Sequence, residues 1–271
     1  MQCRIIDCQG SATVIDNRAI VAKDAKIASD VTIGPYAIIG SQVEIGEGST
    51  VGSHAVIEGQ TKIGKNNKIF QFASIGTVPQ DKKYQGEETF LEIGDNNTFR
   101  EFCTVNLGTA QGGGITKIGN NNLIMNYVHI AHDCIVGNDV VLSNNASLAG
   151  HIIVGDYVIF GGFAKVAQFT KIGAYSFLVA NTDIGKDILP YVIAGGSFDT
   201  MKLYGLNTIG LKRNGFSEET IQNLKNAYNT ILRKGLTVQQ AIVELETMVM
   251  SCAQIQLFID MLKQSERGIL R

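Results

Sequence analysis

The chain of 271 residues contains no tryptophan and three prolines, and nothing in it approaches the ~20 consecutive apolar residues of a membrane-spanning helix. That shortage argues against stable membrane insertion. Charge of one sign is not in excess either: 23 Lys+Arg against 25 Asp+Glu leave a net charge of −2. Such a balance speaks against binding nucleic acid through its phosphates and against an acidic disordered tail. The opening MQCRIIDCQG has no signal-peptide apolar run. The five cysteines (Cys3, Cys8, Cys103, Cys134 and Cys252) are odd in number and form no CxxC, so they read as reduced packing residues of a cytoplasmic protein. Glycine is what abounds, with 30 residues, about 11% against a usual ~7%.

The glycines sit in a repeat. Ile or Val recurs at every sixth position through Ile15, Val21, Ile27, Ile33, Ile39, Ile45, Val51, Ile57, Ile63, Ile69 and Ile75, and the register resumes from Ile118 to Ile184. Four residues after many of these lies a small or β-branched partner, as in Ala19, Ala25, Val31, Ala37, Val43 and Ala55. An α-helix would smear a period of six around its circumference, and a plain strand would demand a period of two. The solution is a solenoid of short strands meeting at corners, with one aliphatic side chain per hexad pointing inward. Glycines directly after the aliphatic (Gly34, Gly40, Gly46, Gly119) suit tight turns there. The pattern resembles the hexapeptide-repeat parallel β-helix, in which three hexads make one coil, and that resemblance implies that residues i and i+18 stack in columns.

Two segments interrupt the rhythm and predict protruding loops: 77–88 (TVPQDKKYQGEE) and 106–117 (NLGTAQGGGITK). Loops on a rigid scaffold are where function concentrates. After Pro190 the pattern turns helical: Ser217 is a cap candidate ahead of Glu218 and Glu219, Gly235 a stop, Thr237 a second start, and a third helix runs from about Ala253 to Gln264. The chain therefore divides into a β-solenoid over 1–190 and a small helical domain over 191–271.

Three of four histidines fall within His129 to His151, while His54 reads as a solvated face residue. His132 takes an outward hexad position, and steps of 18 put Gly150 and Gln168 in its column, with His129 and His151 beside it. Imidazole titrates near neutrality and suits a general base. Asp133 could fix its tautomer if a corner brings the two side chains together, and Gly150 could offer its N–H to an oxyanion.

The ordered segments IFQFASIG, QDKKYQGE, TAQGGGITKIG, HIAHDC, NNASLAGH, PYVIAGG and GLKRNGF resemble those of the UDP-N-acetylglucosamine acyltransferase family, nearly from end to end. The resemblance implies a mainly β fold, a left-handed parallel β-helix of hexapeptide repeats with a C-terminal helical domain, working as a cytoplasmic homotrimer without cofactor or metal. It implies transfer of a 3-hydroxyacyl chain from acyl carrier protein to the 3-hydroxyl of UDP-N-acetylglucosamine, the first acylation of lipid A biosynthesis. His132 becomes the base, Asp133 its orienter and Gly150 the oxyanion donor. Asp81, Lys83, His129, His151 and Gln168 then surround sugar and acyl group, Gln80, Asn207 and Arg213 contact the UDP portion, and Ala180 lies near the position that limits acyl length.

Five positions depart from the family pattern: Asn106 and Leu107 replace His-Arg in HRGT, Ala167 replaces histidine in VHQF, Ile209 replaces a glutamate and Asn214 an arginine. They raise a 3-amino UDP-sugar as an alternative acceptor. Two other classes compete: a zinc enzyme of the γ-carbonic-anhydrase kind, with His129, His132 and His151 as ligands, and a non-catalytic scaffold. Lys165, Lys171, Lys186 and Lys202 are candidates for steering an acidic carrier protein.

Overall fold

The computed structural model describes residues 14–271; Cys3, Cys8 and the MQCRIIDCQG stretch lie outside that range. The hexads form a three-sided prism whose faces hold eleven, nine and eight described strands. Within the prism neighbouring coils pair in parallel, in columns such as Ile33↔Val51 and Ile130↔Leu148. The first face begins with Val14–Ile15, the second with Ile20–Val21 and the third with Lys26–Ile27. Strands of two residues suffice because each supplies one inward aliphatic, and the small residue four positions later fills the corner. Ile33, Ala37, Ile39, Val43 and Ile57 are all buried on this plan.

Glycine serves a different purpose from the expected tight turn. The turning residue lies three positions after the aliphatic and is seldom glycine: Tyr36, Phe72, Asn121 and Asp133 all have φ near +60°, at 61°, 64°, 60° and 61°. Glycines following the aliphatic instead admit the next coil. A Cβ at Gly46 would lie 2.6 Å from the Gly64 carbonyl oxygen, and one at Gly119 2.6 Å from that of Gly137. Column stacking also aligns rings along the edge between first and second faces, where Tyr36, His54, Phe72, Phe102 and Tyr127 follow one another at 5.0 to 5.3 Å.

On the opposite corner of the interior, three buried asparagines replace the small residue. Asn67 Oδ1 accepts from the backbone N–H and side-chain amide of Asn97, Asn97 Oδ1 accepts from Asn122 N–H, and Asn122 Oδ1 from Val140 N–H. Their amides donate to the carbonyls of Gly94, Gly119 and Gly137. Buried polar groups left unpaired cost about 1–3 kcal/mol each. Asn97→Ala should therefore lower the urea midpoint with little change in activity per folded molecule. A midpoint equal to wild type would show the ladder to be energetically neutral.

The solenoid sheet does not end at residue 190. Val192–Gly195 pairs in parallel with Phe177–Leu178, and Lys202–Leu206 returns antiparallel to it. The expected helical domain from 191 thus opens with two strands, and helices begin only at α1 (Thr208–Arg213). Then follow α2 (Glu218–Arg233), α3 (Val238–Val249) and α4 (Gln256–Gln264), the last entered through a 3-10 turn at Ala253–Ile255. Ser217 caps α2, and Thr237 and Gln240 cap α3 reciprocally. The helices dock on the prism through buried Tyr191, whose hydroxyl donates to the Gln254 carbonyl and whose ring meets Phe258 at 5.3 Å. No helix of the described residues is long and apolar enough to cross a membrane.

Candidate active site

Both long loops leave the prism where the second face turns into the third. One connects Ser74–Thr77 to Phe90–Ile93, the other Thr104–Asn106 to Ile115–Ile118. On the coil after the second loop the same edge carries His132 and Asp133, and on the next coil Gly150 and His151. Asn106 ties the loop bases together: it is buried, and its amide donates to Thr77 Oγ1 and the Val78 carbonyl, at 2.9 and 3.0 Å.

Neighbours on a strand face opposite ways, but His132 and Asp133 sit at a corner. The left-handed backbone of Asp133 swings its carboxylate back, and His132 Nδ1 lies 2.7 Å from Oδ2. The carboxylate is already an acceptor on both oxygens: Thr109 N–H reaches Oδ1 and Thr109 Oγ1–H reaches Oδ2, each at 2.7 Å. Nδ1 therefore carries the imidazole proton and Nε2 keeps its lone pair. Nε2 lies beside Gly150, where a Cβ would stand 2.7 Å away. Among the described residues the Gly150 N–H meets no protein acceptor. His132, Gly150, Gln80, His129, Lys165 and Gln168 line one cavity of about 350 Å³.

His132 is not the openly outward residue that its hexad position predicts. It is 3% exposed, because the Thr109 loop holds the Asp133 carboxylate against one side of the ring and Gly150 lies against the other, leaving approach from the cavity. His151 meets the ring edge-on at 5.1 Å, with its Nε2 3.7 Å from Asp133 Oδ2, and stacks on Phe169 at 4.4 Å. His129 Nδ1 shares a 2.7 Å hydrogen bond with Thr104 Oγ1. Burial lowers the pKa of His129, assisted by His132, and burial likewise lowers that of His151 against the opposing pull of Asp133. Both are thereby favoured as neutral rings, so charge arising on His132 meets little repulsion. Asp81 and Lys83, joined by a 2.9 Å bond from Lys83 N–H to Asp81 Oδ1, lie on the first loop, close enough for their charges to act on His151.

Other candidates lie elsewhere in the chain. Asn207 caps α1, accepting from Gly210 N–H and donating to the Tyr175 carbonyl, on the edge between third and first faces. Arg213 is exposed in the last turn of the same helix. Ala180 stands at the first-to-second edge, beside Gly161. None of the three lines the His132 cavity, and neither do Asn106, Ala167, Ile209 and Asn214. The zinc reading loses its triad: the ligand atoms that converge within 4.8 Å belong to His132, Asp133 and His151, without His129. Of the steering lysines, Lys165 pairs with Asp183, Lys171 donates to the Gln264 carbonyl and Lys202 lies over Tyr204. Thr109, Thr104 and Ser147 belong to the site and were not anticipated. The one sequence signal for Thr109 is Thr-x-x-Gly, a side-chain cap ahead of a turn.

The bacterial transferase hexapeptide model matches residues 24–59 and 115–150, and the model described as Udp N-acetylglucosamine O-acyltransferase, domain 2, matches 187–270. An acyl-(acyl-carrier-protein)--UDP-N-acetylglucosamine O-acyltransferase of Thiobacillus denitrificans is 53% identical over 93% of this chain and 97% of its own. The chain belongs to the UDP-N-acetylglucosamine O-acyltransferase family. Among solved members, LpxA from Acinetobacter baumannii is 50% identical with a TM-score of 0.92, covering 95% of this chain and 100% of its own. The Francisella novicida UDP-N-acetylglucosamine acyltransferase is 41% identical with the same TM-score, covering 95% and 94%. Family membership carries the fold class, a left-handed parallel β-helix of hexapeptide repeats with C-terminal helices.

Proposed function

We propose that this acyltransferase moves a 3-hydroxyacyl chain from the thioester of acyl carrier protein to the 3-hydroxyl of UDP-N-acetylglucosamine, the first step of lipid A biosynthesis. The observation that carries the reading is the His132–Asp133 pair opening onto the cavity beside the unpartnered Gly150 N–H. His132 Nε2 takes the proton of the sugar hydroxyl as its oxygen bonds to the thioester carbonyl carbon. The carbonyl oxygen becomes an oxyanion facing Gly150 N–H. The tetrahedral intermediate then collapses, the C–S bond breaks, and the imidazolium returns the proton to the departing sulfur. Products are the sugar ester and free carrier thiol.

Asp133 opposes the positive charge that builds on His132, and neutral His129 and His151 leave it unopposed by like charge. Gln168 at the cavity and Asp81 and Lys83 on the first loop hold sugar and acyl group, and Gln80 meets the UDP portion from the cavity wall. Asn207 and Arg213 lie on another edge of their own prism, so their part in binding UDP falls to a neighbouring subunit. That separation supports a homotrimer as the working form, in the cytoplasm where carrier protein is loaded. Light scattering should give three times the protomer mass. Ala180, on the remaining edge, is assigned to acyl length on the same basis.

The test supplies 3-hydroxyacyl carrier proteins of several lengths with UDP-N-acetylglucosamine or its 3-amino analogue and weighs the product. An O-acyl ester formed preferentially from the hydroxyl sugar is expected. Preference for the amine would overturn the acceptor assignment, and no transfer to either sugar would overturn the activity.

A further inference from the structure

We propose that Thr109 is a positioning residue that makes His132 a competent base by clamping the Asp133 carboxylate, an inference that rests on His132 being the base. Among the described residues, no other donor reaches Asp133 Oδ1, and Oδ2 is shared between Thr109 Oγ1–H and His132 Nδ1–H. The direction of the Thr109 hydroxyl is itself fixed. Its oxygen accepts from Gly112 N–H at 3.2 Å, so its proton is free to point at the carboxylate. The Asp133 backbone is held from the other side, its N–H donating to Thr116 Oγ1 at 2.8 Å.

The three consecutive glycines of the loop follow from the same clamp. Thr109 caps a single 3-10 turn over Ala110–Gly112, and the chain must then reverse tightly, with φ of 98° at Gly113 and 79° at Gly114. Gly112 has an ordinary backbone but no room for a side chain, since a Cβ would stand 2.1 Å from Asp133 Cγ. The turn presses its backbone against the carboxylate while Thr109 grips both oxygens. A carboxylate held by two donors from one residue cannot rotate away from Nδ1, and remains an acceptor that selects the Nε2-basic tautomer.

The clamp has a kinetic signature that a mere loop support lacks. Withdrawing the hydroxyl donor leaves more carboxylate charge to be met by protons, whether on Asp133 or on His132 Nδ1. The acidic limb of the kcat profile, a property of the pair, then moves to higher pH. Other titratable groups facing the pair are His151, at 3.7 Å from Oδ2, and His129; Asp81 and Lys83 act on His151.

Thr109→Val preserves shape and removes the hydroxyl. It is expected to lower kcat roughly 10- to 100-fold, the scale of one hydrogen bond to a charged group, with KM for the UDP-sugar nearly unchanged. Thr109→Ser should recover most of the loss. Gly112→Ala keeps both Thr109 donors but drives the carboxylate aside, and should lower kcat similarly even where Thr109→Val folds poorly. A folded Thr109→Val or Gly112→Ala enzyme with wild-type kcat and an unmoved acidic limb overturns the clamp. So does a Thr109→Ser enzyme as slow as Thr109→Val. Full activity in His132→Ala would instead remove the base on which the clamp acts, and that separate measurement distinguishes the two failures.

Discussion

His132→Ala should assemble like wild type and turn over about 10²- to 10⁴-fold more slowly, the range that general-base catalysis supplies. The ring contributes little to the prism's core, which is built from the inward aliphatics Ile130 and Leu148 beneath it. Its removal takes away the cavity imidazole that is backed by a carboxylate. His129 is a poor substitute, because its Nδ1 meets the Thr104 hydroxyl and not a carboxylate that would balance an imidazolium, and burial holds its pKa down. His151 stands edge-on to His132, is stacked on Phe169 and does not line the cavity. KM for the UDP-sugar should change far less than kcat, since the imidazole acts chiefly in the transition state. Turnover within about threefold of wild type, with an unchanged circular dichroism spectrum, would eliminate His132 as base. Such a result would also favour the scaffold reading if no other substitution at the cavity slowed transfer.

The fold was legible because a period of six is rare and rigid. Once Ile33, Ile39 and Ile45 point inward, the columns follow by addition of 18, and the pairing of Ile130 with Leu148 realises the arithmetic that put His132, Gly150 and Gln168 together. Chemistry at the corners was less legible. Which residue turns the chain depends on φ, and composition suggested glycine, whereas tyrosine, asparagine and aspartate occupy the left-handed positions. The direct His132–Asp133 contact depends on that same φ at Asp133, as does the covering of His132. Loop residues are harder still. Thr109 reaches Asp133 across 24 positions of sequence, in a segment whose hexad register has been lost, so no column points to it. Asn207 and Arg213 mark a further limit: the resemblance groups them with His132, whereas the chain carries them on a different edge, away from its cavity.

Gly150→Ala should be nearly as damaging as loss of the base, for a reason that concerns geometry rather than chemistry. The backbone at Gly150 is not in the left-handed region, so alanine adds no strain of its own there. Its Cβ, however, would stand 2.5 Å from His132 Cε1, 2.7 Å from Nε2 and 3.0 Å from Nδ1. Three contacts below or near 3 Å cannot be relieved by a small torsion. The ring must shift by roughly 1 Å, and a displacement of that size at a reacting group can lower the rate about 10²-fold. The shift also strains the 2.7 Å bond to Asp133, which cannot follow because Thr109 holds its carboxylate. Meanwhile the new methyl group crowds the N–H assigned to the oxyanion. We expect turnover to fall by about 10²-fold or more while the melting temperature stays close to wild type, because the substitution touches the cavity side of the coil and leaves the Leu148 column intact. A Gly150→Ala enzyme as fast as wild type would mean that the His132 ring and the Gly150 backbone do not have to approach each other during transfer.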